Sequence, residues 1–247
     1  MPEVTRTSGQ SPAAAPAPAA ANNAVITAQA VSRVFGSGAT AVTALSAVSL
    51  TVEQGEFLAV TGRSGSGKTT LLNLLSGLDR PSAGAVFFHG DDLAEMREAD
   101  LVNMRRHKIG FIFQSFGLMP LLSAQENVEL PLHIGGMAWR ERRQRASEAL
   151  KAVGLGSRAR HRPFELSGGE QQRVSIARAL VTEPEVVFAD EPTGELDTAT
   201  ARSIAETLGE VAAAGRATVI VATHDLELAA TARRRLDLVD GEIVSQA

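Results

Sequence analysis

The run Gly62-Arg-Ser-Gly-Ser-Gly-Lys68-Thr69 constrains the fold more than any other stretch of the chain. It fits G-x-x-x-x-G-K-[ST], follows the short apolar run Phe57-Leu-Ala-Val-Thr61, and leads into Leu71, Leu72, Leu74 and Leu75 at helical spacing. A buried strand, a glycine-rich turn and a helix in that order make a phosphate-binding loop. Glycines at Gly62, Gly65 and Gly67 let backbone N–H groups converge on phosphate oxygens without a Cβ in the way. The helix then adds the positive end of its dipole at the same point. Lys68 is suited to the β- and γ-phosphates and the Thr69 hydroxyl to Mg2+. Arg63, Ser64, Ser66 and Thr70 complete the expected cradle. A flexible Gly/Ser turn is the bland alternative, and it leaves strand, lysine and helix as coincidences.

The flanking sequence reads as α/β. Val25–Val31 and Leu45–Val52 are β-rich and partly alternating, which suits half-buried antiparallel strands. Ile109–Phe113, Val186–Ala189 and Thr218–Ala222 are apolar on both faces, the pattern of a parallel sheet covered by helices on each side. Between Gln114 and Leu166 helical spacing takes over, through Trp139, Arg142, Ala146, Ala149, Leu150 and Val153, so a helical insertion is expected at about 115–165. Residues 1–23 are a Pro/Ala-rich tail too poor in large apolar groups to fold, leaving 24–247 as the domain. Glu3 stands where a leader needs basic residues, and Pro12, Pro16 and Pro18 interrupt its apolar part, so no signal peptide is expected. No apolar run approaches the ~20 residues of a membrane span. A cytoplasmic chain is therefore expected. The absence of cysteine excludes disulfides, thiolate nucleophiles and Cys-ligated metals. A net charge of −4 gives no global basic field, so no nucleic-acid partner is expected.

Two further motifs carry chemistry. Val186-Val-Phe-Ala-Asp190-Glu191 is a buried strand ending in two acids. Alone this reads as a solvated loop; beside a phosphate loop, Asp190 is placed to hold Mg2+ and Glu191 to polarise an attacking water. Leu166-Ser167-Gly168-Gly169-Glu170-Gln171-Gln172-Arg173 leads into another apolar helix. Ser-Gly-Gly before a helix is by itself an ordinary N-cap with a tight turn.

In this order and spacing the motifs resemble the ATP-binding-cassette (ABC) transporter ATPases, from roughly residue 25 to 245. The resemblance implies a RecA-like P-loop core with a mainly parallel sheet, an N-terminal antiparallel β-subdomain and a helical insertion. It implies ATP and Mg2+ as cofactors. Gln114 matches the loop glutamine that contacts Mg2+ and the water, and His224 the switch histidine at the γ-phosphate. Gly194-Glu195-Leu196-Asp197 matches the segment at the dimer seam. Ser167, Gly168, Gly169 and Glu170 would act in trans, closing over ATP held by a second copy in a head-to-tail dimer. Phe35 occupies the place of the aromatic that stacks on adenine, where stacking needs only the π-face; ordinary core is its alternative.

The detailed pattern looks most like the ATPases of macrolide-export and lipoprotein-release systems. Their permease is a four-helix protein with a large extracytoplasmic domain, separate or fused, which the cassette drives by export or mechanotransmission from the inner face of the membrane. A regulatory cassette of a cell-division type complex has nearly the same motifs and is the alternative. Cassettes acting on ribosomes or DNA fuse two cassettes or insert a long coiled coil, neither of which is seen here. The permease is expected near the apolar Phe116–Leu122, residues that would otherwise pack internally. Residues 138–162 hold seven arginines and Lys151 against Glu141 and Glu148, either a solvated face or an attraction for anionic headgroups or an acidic permease loop.

Three departures from the family pattern stand out: Arg63 for a common proline, Glu170 for glutamine, and Glu195 for asparagine or a small residue. A carboxylate at Glu195 facing the opposing γ-phosphate would slow closure by repulsion. Glu195→Asn is then expected to raise steady-state ATP turnover, measured by phosphate release; an unchanged rate assigns Glu195 no such role.

Overall fold

The structure, a computed structural model, describes residues 23–246. The tail expected over 1–23 lies outside the described residues apart from Asn23, whose carbonyl accepts the Gln54 N–H (2.9 Å).

Alternation in the first third builds an antiparallel sheet. Strands β1 (Ala24–Phe35) and β2 (Val42–Glu53) form a long hairpin with Ile26 opposite Val52 and Ala28 opposite Leu50. β1 also pairs with β4 (Ala83–Phe88), which in turn pairs with the short β5 (Asp91–Asp92), giving the order β2-β1-β4-β5. β4 was not anticipated, because its Ala-Gly-Ala start carries neither bulk nor β-branching.

The second sheet has the order β10-β9-β3-β8-β7-β6. Its members are β3 (Phe57–Thr61), β6 (Ile109–Ile112), β7 (Val186–Asp190), β8 (Thr218–Thr223), β9 (Arg234–Val239) and β10 (Glu242–Gln246). All neighbours run parallel except the β9–β10 hairpin. Every residue of β3 and β8 is buried, as strands covered on both faces require. β6 ends one residue earlier than the sequence suggested: Phe113 is exposed and stacks on Phe111.

The period of two in these strands sorts the core into two layers. Leu58, Val60, Phe188 and Ile220 face α1 (Lys68–Leu75), which lies between the two sheets and packs Leu71, Leu72, Leu74 and Leu75 against them. α2 (Glu98–Lys108) adds Leu101 and Met104 to the same layer. Phe57, Ala59, Val187 and Val219 face the opposite way, towards α5 (Gly168–Leu180), α6 (Thr198–Ala213) and α7 (Leu226–Thr231).

A third apolar cluster joins α3 (Ala124–Ile134) and α4 (Trp139–Ala152) to Val174, Ala177 and Val181 at α5. Helix α5 thus has two apolar faces, Ile176 and Ala179 towards the sheet and Val174 and Ala177 towards α3 and α4. Within α4 the buried residues are Ala146 and Leu150. Trp139, counted in the helical periodicity, is instead exposed, with the Arg143 guanidinium 5.5 Å from its ring. It sits on the first residue of the helix, before any neighbouring turn can cover it.

The approach of β6 to α5 admits no side chain at Gly110: a Cβ there would lie 2.5 Å from the Ala179 carbonyl oxygen, a backbone atom with no freedom to move aside. Gly110→Ala is expected to destabilise the chain by about 1–3 kcal/mol through this overpacking. Urea and thermal unfolding check this, with a midpoint lower by roughly 2–4 °C per kcal/mol.

Candidate nucleotide-binding site

Strands β3, β7 and β8 are parallel and in register, with Thr61 beside Thr223 and Asp190 beside Ala222, so their carboxyl ends finish at one edge of the sheet. Everything that follows them in sequence meets there. After β3 the chain turns through Gly62–Gly67 and enters α1. Gly67 takes φ +103°, a backbone that L side chains resist, and α1 starts without a side-chain cap. Its first N–H groups are thereby left to face the cleft. The Lys68 side chain is only 7% exposed; its Nζ donates to the carbonyls of Gly62 (2.8 Å) and Arg63 (3.2 Å) and lies 3.4 Å from Glu191 Oε1.

β7 delivers the two acids. The Thr69 hydroxyl donates to Asp190 Oδ2 at 2.8 Å. Asp190 Oδ1 is buried with no hydrogen-bond partner among the described residues. Burial pushes the Asp190 carboxyl above its ordinary range, with Glu191 adding to the effect and Thr69 and Lys68 opposing it. Glu191 adopts φ +46°, an uncommon left-handed conformation for a non-glycine residue. Its N–H donates to Ala222 O (2.8 Å), and its Oε2 accepts from the Thr223 hydroxyl (3.3 Å) and the His224 N–H (3.2 Å). His224 Nδ1 lies 2.9 Å from the same oxygen, within hydrogen-bond reach. The His224 ring is otherwise 65% exposed.

Gln114, two residues beyond β6, faces Arg63, Ser64, Lys68, Thr69 and Thr70 across a cleft of about 570 Å³ that Glu191 and His224 also line. Gly62 and Ser66 turn to the other side of the loop, where the Gly241 N–H donates to the Ser66 carbonyl (3.0 Å).

Ser167, Gly168, Gly169 and Glu170 do not join this cleft. Ser167 caps α5: its hydroxyl accepts from Glu170 N–H (3.3 Å) and the Glu170 carboxylate accepts from Ser167 N–H (2.9 Å). The Ser167 N–H, with help from its hydroxyl and from Arg158 at 3.2 Å, holds the Glu170 carboxyl below its usual range. Phe35 is also outside the cleft lining. It is 43% exposed at the end of β1, with the Arg33 guanidinium 4.5 Å from its ring, and is not part of the core.

Of Phe116–Leu122, Phe116 and Leu118 are half-buried while Met119 and Leu121 are exposed. Met119 joins Leu78, Val102, Phe113 and Ile134 along an apolar groove of about 500 Å³. Three residues that organise these loops carried no assignment from the sequence: Asn127, Arg178 and Gln172. Buried Asn127 accepts the Met119 N–H (2.7 Å) and donates to the carbonyls of Met119 and Leu122. Arg178 donates to the Phe116 and Gly117 carbonyls. A polar residue on the buried side of a helical pattern was the available signal for each. In the arginine-rich segment, Arg142 pairs with Glu129, Arg145 with Glu141 and Arg158 with Glu170, so part of its charge is neutralised within the chain.

The sequence profile of the ABC transporter family matches residues 45–194, more than half of the chain. The "Macrolide export ATP-binding/permease protein MacB" of Hyphomonas neptunium is 49% identical over 217 residues, spanning 88% of this chain and 34% of that protein. Its namesake from Neisseria gonorrhoeae is 46% identical over 215 residues, 87% of this chain and 33% of the relative. The chain thus spans about a third of the length of these curated relatives. The solved dimeric structure of a post-hydrolysis state of the ATP-binding cassette MJ0796 bound to ADP and Pi is similar with TM-score 0.83 and 41% identity, over 90% of this chain and 97% of that one. The structure of cbiO1 from Clostridium perfringens, part of the cbiONQ transporter complex, follows with TM-score 0.82 and 27% identity, over 92% and 89% of the two chains. The chain belongs to the ABC transporter family, as one of its α/β ATPase cassettes.

Proposed function

We propose that this chain binds and hydrolyses ATP with Mg2+ between two copies of itself arranged head to tail, and that the cycle drives a membrane permease. The observation that carries the reading is the division of labour just described. Lys68, Thr69, Glu191, His224 and Gln114 line one cleft, with Asp190 bonded to Thr69 behind it, while the capped tip Ser167–Glu170 lies apart from it on the same chain. A phosphate loop without a second face is half a site. The N-terminal end of α5, with Ser167, Gly168 and Gly169, offers that second face to a nucleotide held by another copy.

The residues fit Mg2+. Asp190 has a buried oxygen without a partner and a carboxyl that burial disfavours as an anion, both relieved by a cation. Thr69 and Asp190 would hold the ion with Gln114 beside them; bound there, it supplies charge neutralisation at the β- and γ-phosphates. Lys68 exchanges its loop carbonyls for phosphate oxygens. Glu191 accepts a proton from the attacking water, its carboxylate held by Thr223 and His224. His224 then faces the γ-phosphate, and Phe35, exposed at the end of β1, stacks on adenine once Arg33 swings off its ring.

Among the described residues no helix is long and apolar enough to cross a membrane. The relatives named above join ATP-binding and permease parts, which supports a permease partner; the motif resemblance alone suggests the four-helix type with a large extracytoplasmic domain. It would dock in the groove at Phe113, Met119 and Ile134 and keep the cassette at the inner face of the membrane. On this reading residues 24–247 are the cassette and about 115–165 its helical part.

Two outcomes test the site. Glu191→Gln is expected to bind ATP and dimerise while turnover falls on the order of 10²- to 10⁴-fold, the loss of a general base. ATPase assay and light scattering with ATP check this. The Asp190 carboxyl sits above its unfolded value, so the folded, nucleotide-free chain takes up a proton more readily than the unfolded one. Its contribution to stability therefore declines as pH rises through the folded pKa, above the ordinary carboxylate range. Asp190→Asn should remove that part of the slope in thermal melts above the ordinary carboxylate range and abolish the Mg2+ dependence of ATP binding.

A further inference from the structure

We infer that Gln172 is a positioning residue that ties the partner-facing tip of α5 to the carboxylate of Glu191 in the same chain. The inference rests on the head-to-tail reading above. Gln172 lies in α5 about 7.5 Å along the helix axis from Ser167. Its side chain is fully buried and Nε2 donates to the Pro192 carbonyl at 2.7 Å. Its Oε1 is buried with no partner among the described residues.

Pro192 immediately follows Glu191. Lacking an N–H, it has only its carbonyl to anchor it through the backbone, and Gln172 takes that carbonyl. On the far side the Thr193 hydroxyl donates to Asp225 Oδ2 (3.2 Å), and Asp225 Oδ1 caps α7 through Glu227 N–H and Leu228 N–H. On the near side the Glu191 N–H is held by Ala222 O. Glu191 is thus kept in its left-handed conformation by β8 before it and by α5 and α7 after it. Strained conformations persist only where such surroundings over-determine them.

Packing does not explain the amide. Leucine of similar size would fill the same volume without burying an oxygen that lacks a partner. What leucine cannot do is hold the Pro192 carbonyl. When Ser167–Gly169 closes on ATP in the partner, the displacement of a rigid helix reaches that carbonyl and, through one peptide bond, Glu191. Each chain's base is thereby set by whether its own α5 has engaged the other nucleotide, which couples the two hydrolytic sites.

The test compares Gln172→Leu and Gln172→Glu with wild type in the full chain. Measurements are the nucleotide-free thermal midpoint, kcat, KM and the Hill coefficient for ATP hydrolysis, and ATP-driven dimerisation in the Glu191→Gln background. For Gln172→Leu the expected result is a midpoint equal to or above wild type, and KM and dimerisation within about twofold. kcat falls on the order of 10- to 100-fold, as misplacement of a catalytic group by about 1 Å costs, and the Hill coefficient drops to one. Gln172→Glu donates to Pro192 only while protonated, so its kcat relative to wild type should recover towards acid pH and fall as pH rises. A Gln172→Leu kcat within twofold of wild type, or a loss of kcat that follows a lowered midpoint, overturns the assignment, as does a pH-independent Gln172→Glu. Wild type that hydrolyses ATP without cooperativity and without forming dimers overturns the head-to-tail reading itself.

Discussion

The parallel register of β3, β7 and β8 is the constraint from which the site follows. Hydrogen bonds between the strands set Thr61 beside Thr223 and Asp190 beside Ala222, so the residues just beyond each strand have nowhere to go but one edge. Ligands of open α/β sheets bind at this carboxyl edge for the same reason. A slip of one residue in β7 would exchange the inward and outward faces, sending Phe188 to the side of α5 and turning Asp190 away from Thr69. The same pairing that buries the apolar strands therefore aligns the charged groups, and the core cannot be satisfied without assembling the site.

That edge is also where the chain departs from ease. Asp190 Oδ1, Ser66 Oγ and Gln172 Oε1 are buried without hydrogen-bond partners among the described residues, and Glu191 sits at φ +46°. Most buried polar atoms in folded proteins are paired, and three of the exceptions among the described residues lie near this edge. The Ser66 hydroxyl lies behind the phosphate loop, Asp190 beneath it and Gln172 beyond the acid that follows. The layered core behind them, with Leu58, Phe188 and Ile220 fully enclosed, supplies the stability that tolerates them.

Local order was legible in the sequence where local physics decides it. Strand, glycine loop and leucine helix are contiguous from Phe57 to Leu75, and β6, β7 and β8 are apolar on both faces, so neither needed knowledge of distant partners. β9 was missed because Arg234, Arg235 and Asp237 break its apolar pattern. Arg234 pays for its place in the sheet through Glu56 and the Thr51 carbonyl, contacts from residues far away in the chain. Trp139 misled because the periodicity of a helix says nothing about which end of it another element covers. Gln172 was visible as a letter of the Leu166–Arg173 segment, yet its role depends on Pro192, which only the packing of α5 on the sheet brings beside it.

Helix α5 is where these threads join. Its tip caps itself through Ser167 and Glu170, its middle holds Pro192 through Gln172, and its last turns hold the loop after Gln114 through Arg178. One of its apolar faces packs on the sheet and the other on α3 and α4. A close-packed helix with two committed faces cannot bend locally to absorb a push; it moves as a body or stays. Force applied at the apolar groove beside Phe113 and Met119 meets Arg178 first, and a nucleotide closing on Ser167 meets the opposite end. Both reach Glu191 through the same rigid rod, which gives the cassette a way to make hydrolysis answer to events at either end.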